Sequence, residues 1–258
     1  MSRRLSRSVQ QSILAASARG DAEGILSSLQ PEISPINVAT AAHRLAKLRP
    51  TGSLRERCRA QLRLPIQANL RELEPQGTAN ILWALAVLHG DLPLGRAAEQ
   101  LTEFSGRHLS NVAWALAKAL CREGPLVLQL SGQVAAKAME LSPQSLANLL
   151  WSFAYLVMWE NLDELAESVA GTASALSPRD LSNTLWALSN GPKIMDCKEL
   201  LTKLACATRG QASSLHPNDL TSIAWSFVDA TPVQMRWLRR GCSGVSANGK
   251  RFSYEPVD

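Results

Sequence analysis

A chain of 258 residues that is 46% hydrophobic and 19% charged has ample apolar material to bury, which excludes a disordered tether. The formal net charge is only +5. Five cysteines (Cys58, Cys121, Cys197, Cys206, Cys242) form no C-x-x-C pair and no metal-ligand spacing. Reduced, mostly packed thiols of an intracellular protein are therefore expected.

The first segment, residues 1–32, is basic at its start. MSRRLSRSVQQSILAASARG holds four Arg and no acid and is rich in Ser, the composition of an organelle targeting segment. Val9, Ile13 and Leu14 also fit an amphipathic helix, with Asp21 to Leu29 as its partner in a capping unit.

From residue 33 to 230 one phrase recurs. It reads ISPINVATAAHRLAKL from Ile33, LEPQGTANILWALAVL from Leu73 and FSGRHLSNVAWALAKAL from Phe104. It returns as LSPQSLANLLWSFAYL from Leu141, LSPRDLSNTLWALSN from Leu176 and LHPNDLTSIAWSFVDA from Leu215. One column through these copies is His43, Trp83, Trp114, Trp151, Trp186 and Trp225, at successive spacings of 40, 31, 37, 35 and 39 residues. A period of that size means stacked two-helix units, so the fold expected is all-α, an α-solenoid of about six repeats with degenerate N- and C-terminal caps.

Each copy opens a helix. Ser177 and Pro178 suit the cap and the first helical position, and Asp180 completes a capping box. Leu181, Leu185 and Leu188 form an apolar stripe for a partner helix, while Trp186 points away from it, toward a neighbouring repeat. Core packing between repeats is the reading favoured for the Trp column over ligand stacking.

Second helices are expected at Ser53 to Leu73, Leu94 to Phe104, Leu126 to Leu141, Leu162 to Leu176 and Cys197 to Ala207. Pro65 should break or end the first of these. Gly90, Gly124 and Gly191 fall in the connections, where the chain must reverse. The uncharged run from Leu141 to Trp159 is long enough for a membrane span, but Pro143, Gln144 and Asn148 lie within it in repeat register, so no membrane insertion is expected.

Residues 1–67 hold eleven Arg and Lys against Asp21, Glu23, Glu32 and Glu56, a balance of +7, which leaves −2 for the remainder. The positive field is expected at the N-terminal end, where it suits a phosphate backbone or a solvated basic face. Residues 231–258 should form a short basic helix, VQMRWLRR from Val233, and then a flexible tail. An end on half a repeat is expected of a piece of a longer protein.

No catalytic constellation emerges. His43, His89, His108 and His216 lie in different repeats with no acid or Cys at a fixed offset, and no phosphate loop, H-E-x-x-H or G-x-S-x-G occurs. A non-enzyme without metal or cofactor is expected. The binding candidates are a polar column three residues before the Trp, Asn80, Asn111, Asn148 and Asn183, together with the position four residues earlier, Gln76, Arg107, Gln144, Arg179 and Asn218. Such a ladder along the concave side of a solenoid could read base edges, or it could tie one helix to the next repeat. Tyr155 is the main candidate for base stacking. A protein-interaction scaffold of HEAT or tetratricopeptide type is the alternative to RNA binding.

The phrase S-P-x-x-L-x-N-x-L-W-A-L-A, met with local changes from Ser177 to Ser189 and from Ser142 to Ala154, resembles the repeats of octotricopeptide-like and FAST-kinase-like helical proteins of organelles. It is also similar to the repeat region of the trypanosome RNA-editing substrate-binding complex. The likeness spans Ile33 to Ala230. It implies non-catalytic binding of single-stranded RNA in transcript stability, processing or translation, with other organellar RNA-processing proteins as partners in ribonucleoprotein granules. Mitochondrion is the compartment implied, with plastid or cytoplasm as alternatives. Many such proteins end in a RAP domain of nuclease-like fold, which nothing after Trp225 matches, so a cleavage role is not implied.

Overall fold

The computed structural model describes residues 3–30, 32–122, 124–158, 162–190 and 198–230. These hold helices and no strand, so the fold is all-α. The chain divides into two compact units, residues 1–137 and 138–258.

In the N-terminal unit the helices are α1 (Arg3–Ala18), α2 (Ala22–Ser27), α3 (Pro35–Lys47), α4 (Gly52–Asn69), α5 (Pro75–Leu88), α6 (Leu94–Glu99), α7 (Gly106–Lys118) and α8 (Pro125–Ala136). The first helices of the repeats, α3, α5 and α7, lie side by side in chain order. Their second helices α4, α6 and α8 pack on them as another layer, and α1 and α2 pack on α3. The C-terminal unit repeats the plan with first helices α9 (Pro143–Leu156), α11 (Pro178–Ser189) and α13 (Pro217–Ala230) and second helices α10 (Leu162–Thr172) and α12 (Lys198–Gly210). Each unit is thus α-solenoid packing, in which a repeat buries its apolar faces against its neighbours.

Local chemistry starts each first helix. Ser177 Oγ accepts from the Asp180 N–H at 3.3 Å and Asp180 Oδ2 accepts from the Ser177 N–H at 3.2 Å, the expected capping box. Ser142 Oγ accepts from the Ser145 N–H at 3.1 Å. The sequence signals missed the box at α7, where His108 Nδ1 accepts from the Ser105 N–H at 3.3 Å in the role a carboxylate usually fills. Just before each cap a large apolar side chain (Leu73, Phe104, Leu141, Leu176) is buried and anchors the entry of the helix. The stripe Leu181, Leu185, Leu188 is buried as expected.

A second column closes the repeats with polar clamps. Four residues before an anchor stand Gln100, Lys137 and Gln211, and each reaches back to the carbonyl of the preceding anchor. Gln100 Nε2 donates to Leu73 O at 2.7 Å, Lys137 Nζ to Phe104 O at 2.5 Å and Gln211 Nε2 to Leu176 O at 2.8 Å. Gln100 also accepts at 2.6 Å from the hydroxyl of Thr78, a buried residue in the column that Leu181 occupies in its own repeat. Buried carbonyls and a buried hydroxyl are thereby satisfied, as burial demands.

Two expectations about the backbone change. Pro65 does not end α4, which runs on to Asn69 and closes in a 3₁₀ turn over Leu70–Glu72. The carbonyl of Pro65 is taken by Asn69 Nδ2 at 2.8 Å, and lying on a helix packed along one side, the ring is tolerated. The reversals after the first helices use non-glycine residues: Arg49, His89, Leu120 and Val157, each six residues after the Trp column, have φ of 49°, 58°, 56° and 64°. Gly124 has φ 122°, while Gly90 simply follows His89 and Gly191 lies outside the described residues.

Of the cysteines, Cys58 is buried, Cys121 half-buried and Cys206 exposed, all free, and Cys197 and Cys242 lie outside the described residues. The basic helix and tail expected over 231–258 lie there too. No helix among the described residues is long and apolar enough to cross a membrane.

Candidate nucleic-acid interface

On an α-helix, positions seven and three residues before the Trp, the Trp itself and the position four after it fall on one side. The second helices hold the opposite side, so this stripe is the face each first helix turns away from its partner layer. Packing of α3, α5 and α7, and of α9, α11 and α13, sets the stripes of each unit next to one another.

The ring column forms the floor of the stripe. His43 lies 5.1 Å from Trp83, and Trp83 lies 5.9 Å from Trp114. In the C-terminal unit Trp151 lies 5.9 Å from Trp186, and Tyr155 stacks on Trp151 at 5.0 Å. Trp83, Trp114 and Trp151 are buried, so they pack between repeats as the sequence indicates and have no face left for a base. Trp186 is half-buried, and Trp225 is 46% exposed, so the packing expected of the whole column does not hold at α13. Tyr155 is half-buried with one face already on Trp151. The Nε1 groups of Trp114 and Trp151 find no acceptor among the described residues.

The amide column divides. Asn80, Asn111 and Asn148 are half-buried, and their side chains make no hydrogen bond to any described residue. Asn183 is 1% exposed, and its Oδ1 meets no donor among the described residues. Neighbouring Ser182 Oγ and Thr184 Oγ1 are in the same condition. Of the column four residues earlier, Gln76, Arg107, Gln144 and Asn218 are exposed and Arg179 is half-buried. In the N-terminal unit the structure thus brings Gln76, Asn80, Arg107 and Asn111 onto adjacent helices; in the C-terminal unit it does the same for Gln144, Asn148 and Arg179.

Charge is unevenly placed on these helices. Across α3, α5 and α7 there is no carboxylate, and there are four cations: Arg44, Lys47, Arg107 and Lys118. Helix α9 carries no charged residue, and α11 and α13 carry Arg179 against Asp180, Asp219 and Asp229. The N-terminal basicity read from composition is partly cancelled elsewhere, because on α4 Arg57 pairs with Glu23 at 2.7 Å and Arg59 pairs with Glu56. Sequence reasoning missed Arg44 and Lys47 as surface candidates; the signal was the absence of acids from three successive first helices.

His43 reports the local field. Burial, followed by the charges of Lys47, Arg44 and Arg107, lowers its pKa to about 4, so the ring is neutral at neutral pH. His108 is lowered as well, by burial and then by Arg107 and Lys137. No group of three or more potential metal ligands occurs among the described residues.

No family model matches the chain. A curated relative is a chloroplastic RAP domain-containing protein of rice (Oryza sativa subsp. japonica), 30% identical over 162 residues, which is 56% of this chain and 24% of that protein. The chain spans about a quarter of the length of the relative it matches.

Proposed function

We propose that this chain is a non-catalytic helical-repeat module that binds single-stranded RNA on its first-helix faces. One observation carries the reading: Asn80, Asn111 and Asn148 hold unengaged amides at one helical position, each beside an exposed Gln76, Arg107 or Gln144. An amide offers donor and acceptor together, as a base edge requires, while neighbouring cations hold phosphates. The likeness to a RAP domain-containing protein supports work on organellar transcripts, in their stability, processing or translation. That relative is chloroplastic, which favours plastid over mitochondrion as the compartment. Other organellar RNA-processing proteins are the partners proposed beside RNA.

Asn183 is left out of the contact set because its side chain is enclosed. The contacts proposed are Gln76, Asn80, Arg107, Asn111, Gln144, Asn148 and Arg179, with Asn218 at the exposed start of α13. A protein-scaffold role is the second reading, favoured only by the uncharged α9.

Photocrosslinking separates them. With 4-thiouridine-substituted single-stranded RNA, cross-linked peptides should fall in 75–88, 106–118 and 143–156. Cross-links confined to the second helices would remove the proposed face, and no cross-link at low salt would favour a protein partner.

A further inference from the structure

We propose that Arg44, Lys47 and Arg107, on the helices that flank the His43–Trp83–Trp114 ring ladder of the N-terminal unit, form a phosphate grip that supplies most of the ionic binding of an RNA strand. This deepens the RNA-binding reading and rests on it.

Three observations converge. First, α3, α5 and α7 hold no acid, so no carboxylate on these helices competes for the cations. Second, Arg44, Lys47 and Arg107 make no ion pair and no side-chain hydrogen bond with any described residue, whereas Arg57, Arg59 and Arg96 are ion-paired. Like-charged side chains held together without a counter-charge repel one another, and an anion removes that cost. Third, α3, α5 and α7 pack side by side and the rings of His43, Trp83 and Trp114 run from one helix to the next, so the cations of α3 and α7 flank one continuous ring ladder; the charges of all three also act on the His43 ring. Arg44 is half-buried and so held in place, while Lys47 and Arg107 are exposed and open to a ligand.

The amides Asn80 and Asn111 lie on the helices beside these cations, which favours a nucleic acid over an acidic polypeptide, because a strand needs phosphate and base partners side by side. The first helices of the C-terminal unit carry one cation, Arg179, and so contribute little to the ionic part.

The test is the salt dependence of binding to labelled single-stranded RNA, measured on the full chain. Each phosphate contact on a single strand contributes about 0.7 to the slope of log K against log salt. Arg44→Gln, Lys47→Gln and Arg107→Gln together should lower the slope by about 2. A charge-matched control, Arg63→Gln, Arg71→Gln and Arg122→Gln, removes three exposed cations elsewhere and should leave the slope within about 0.7 of the parent. The charge-conserving exchange Arg44→Lys, Lys47→Arg, Arg107→Lys should keep the parent slope, and no variant should melt below the parent. RNA binding with equal slope loss in grip and control variants would overturn the grip and leave the RNA reading standing. Displacement of RNA by polyglutamate at equal charge concentration would overturn the choice of nucleic acid. Absence of RNA binding by the parent chain at low salt would overturn both.

Discussion

The side-chain amide of Gln100 donates to the backbone carbonyl of Leu73 at 2.7 Å across 27 residues, and so ties the end of a second helix to the entry of its own repeat's first helix. Its other end accepts from Thr78, so one side chain satisfies two buried groups. Gln100→Ala should destabilise the chain by about 1–3 kcal/mol, because the Thr78 hydroxyl is left buried without a partner. Chemical denaturation checks this; a variant as stable as the parent would show that the clamp is incidental.

Thr184 offers the opposite case. Its Oγ1 is buried with no partner among the described residues, and the same column holds Ile81, Val112, Leu149 and Ile223 in other repeats. Thr184→Val keeps the shape and removes an unsatisfied hydroxyl, so it should stabilise by about 1 kcal/mol or more. A lower melting temperature would mean that the hydroxyl has a partner the account lacks.

Trp151 is 2% exposed and packs in one ring cluster with Trp186 and Tyr155. Trp151→Ala should cost about 3–5 kcal/mol as a core truncation. Trp151→Phe should cost less, since the indole N–H it removes has no acceptor among the described residues. A fully stable Trp151→Ala chain that had lost RNA would reverse the assignment of the ring column to packing.

Acid should weaken the fold through His43. Its pKa falls from 6.5 to about 4 in the folded chain, first through burial and then through Lys47, Arg44 and Arg107, so the unfolded chain binds the proton more tightly. Its contribution is fully present above pH 6.5 and is lost as pH falls toward about 4. Stability measured from pH 7 to pH 4 should drop more steeply in the parent than in His43→Gln; parallel curves would contradict the burial of the ring.

Much of this was legible in the sequence because one repeat constrains the others. The Trp spacing, the Ser177–Asp180 box and the leucine stripe each follow from helical geometry within a few residues, and all are present. The positive φ of His89, Leu120 and Val157 was not legible, because no glycine marks those positions and packing around the helix ends imposes the turn. Nor were the clamps of Gln100, Lys137 and Gln211, which join residues about one repeat apart and vary in chemistry from amide to ammonium. Asn80 and Asn183 share a column and a residue type yet differ in burial, so residue type alone did not foretell which amide stays open.

The affinity of Asn80→Ala, Asn111→Ala, Asn148→Ala for a labelled pool of single-stranded RNA, set against the parent at matched salt, tests the central claim most directly. These half-buried amides have no partner in the described protein, so the melting temperature should hold, with surface-like changes of about 0.5 kcal/mol or less per site. Affinity should fall by about tenfold or more, as expected when hydrogen bonds worth about 0.5–1.5 kcal/mol each are lost together. A triple variant that folds normally and binds RNA as tightly as the parent would contradict the account.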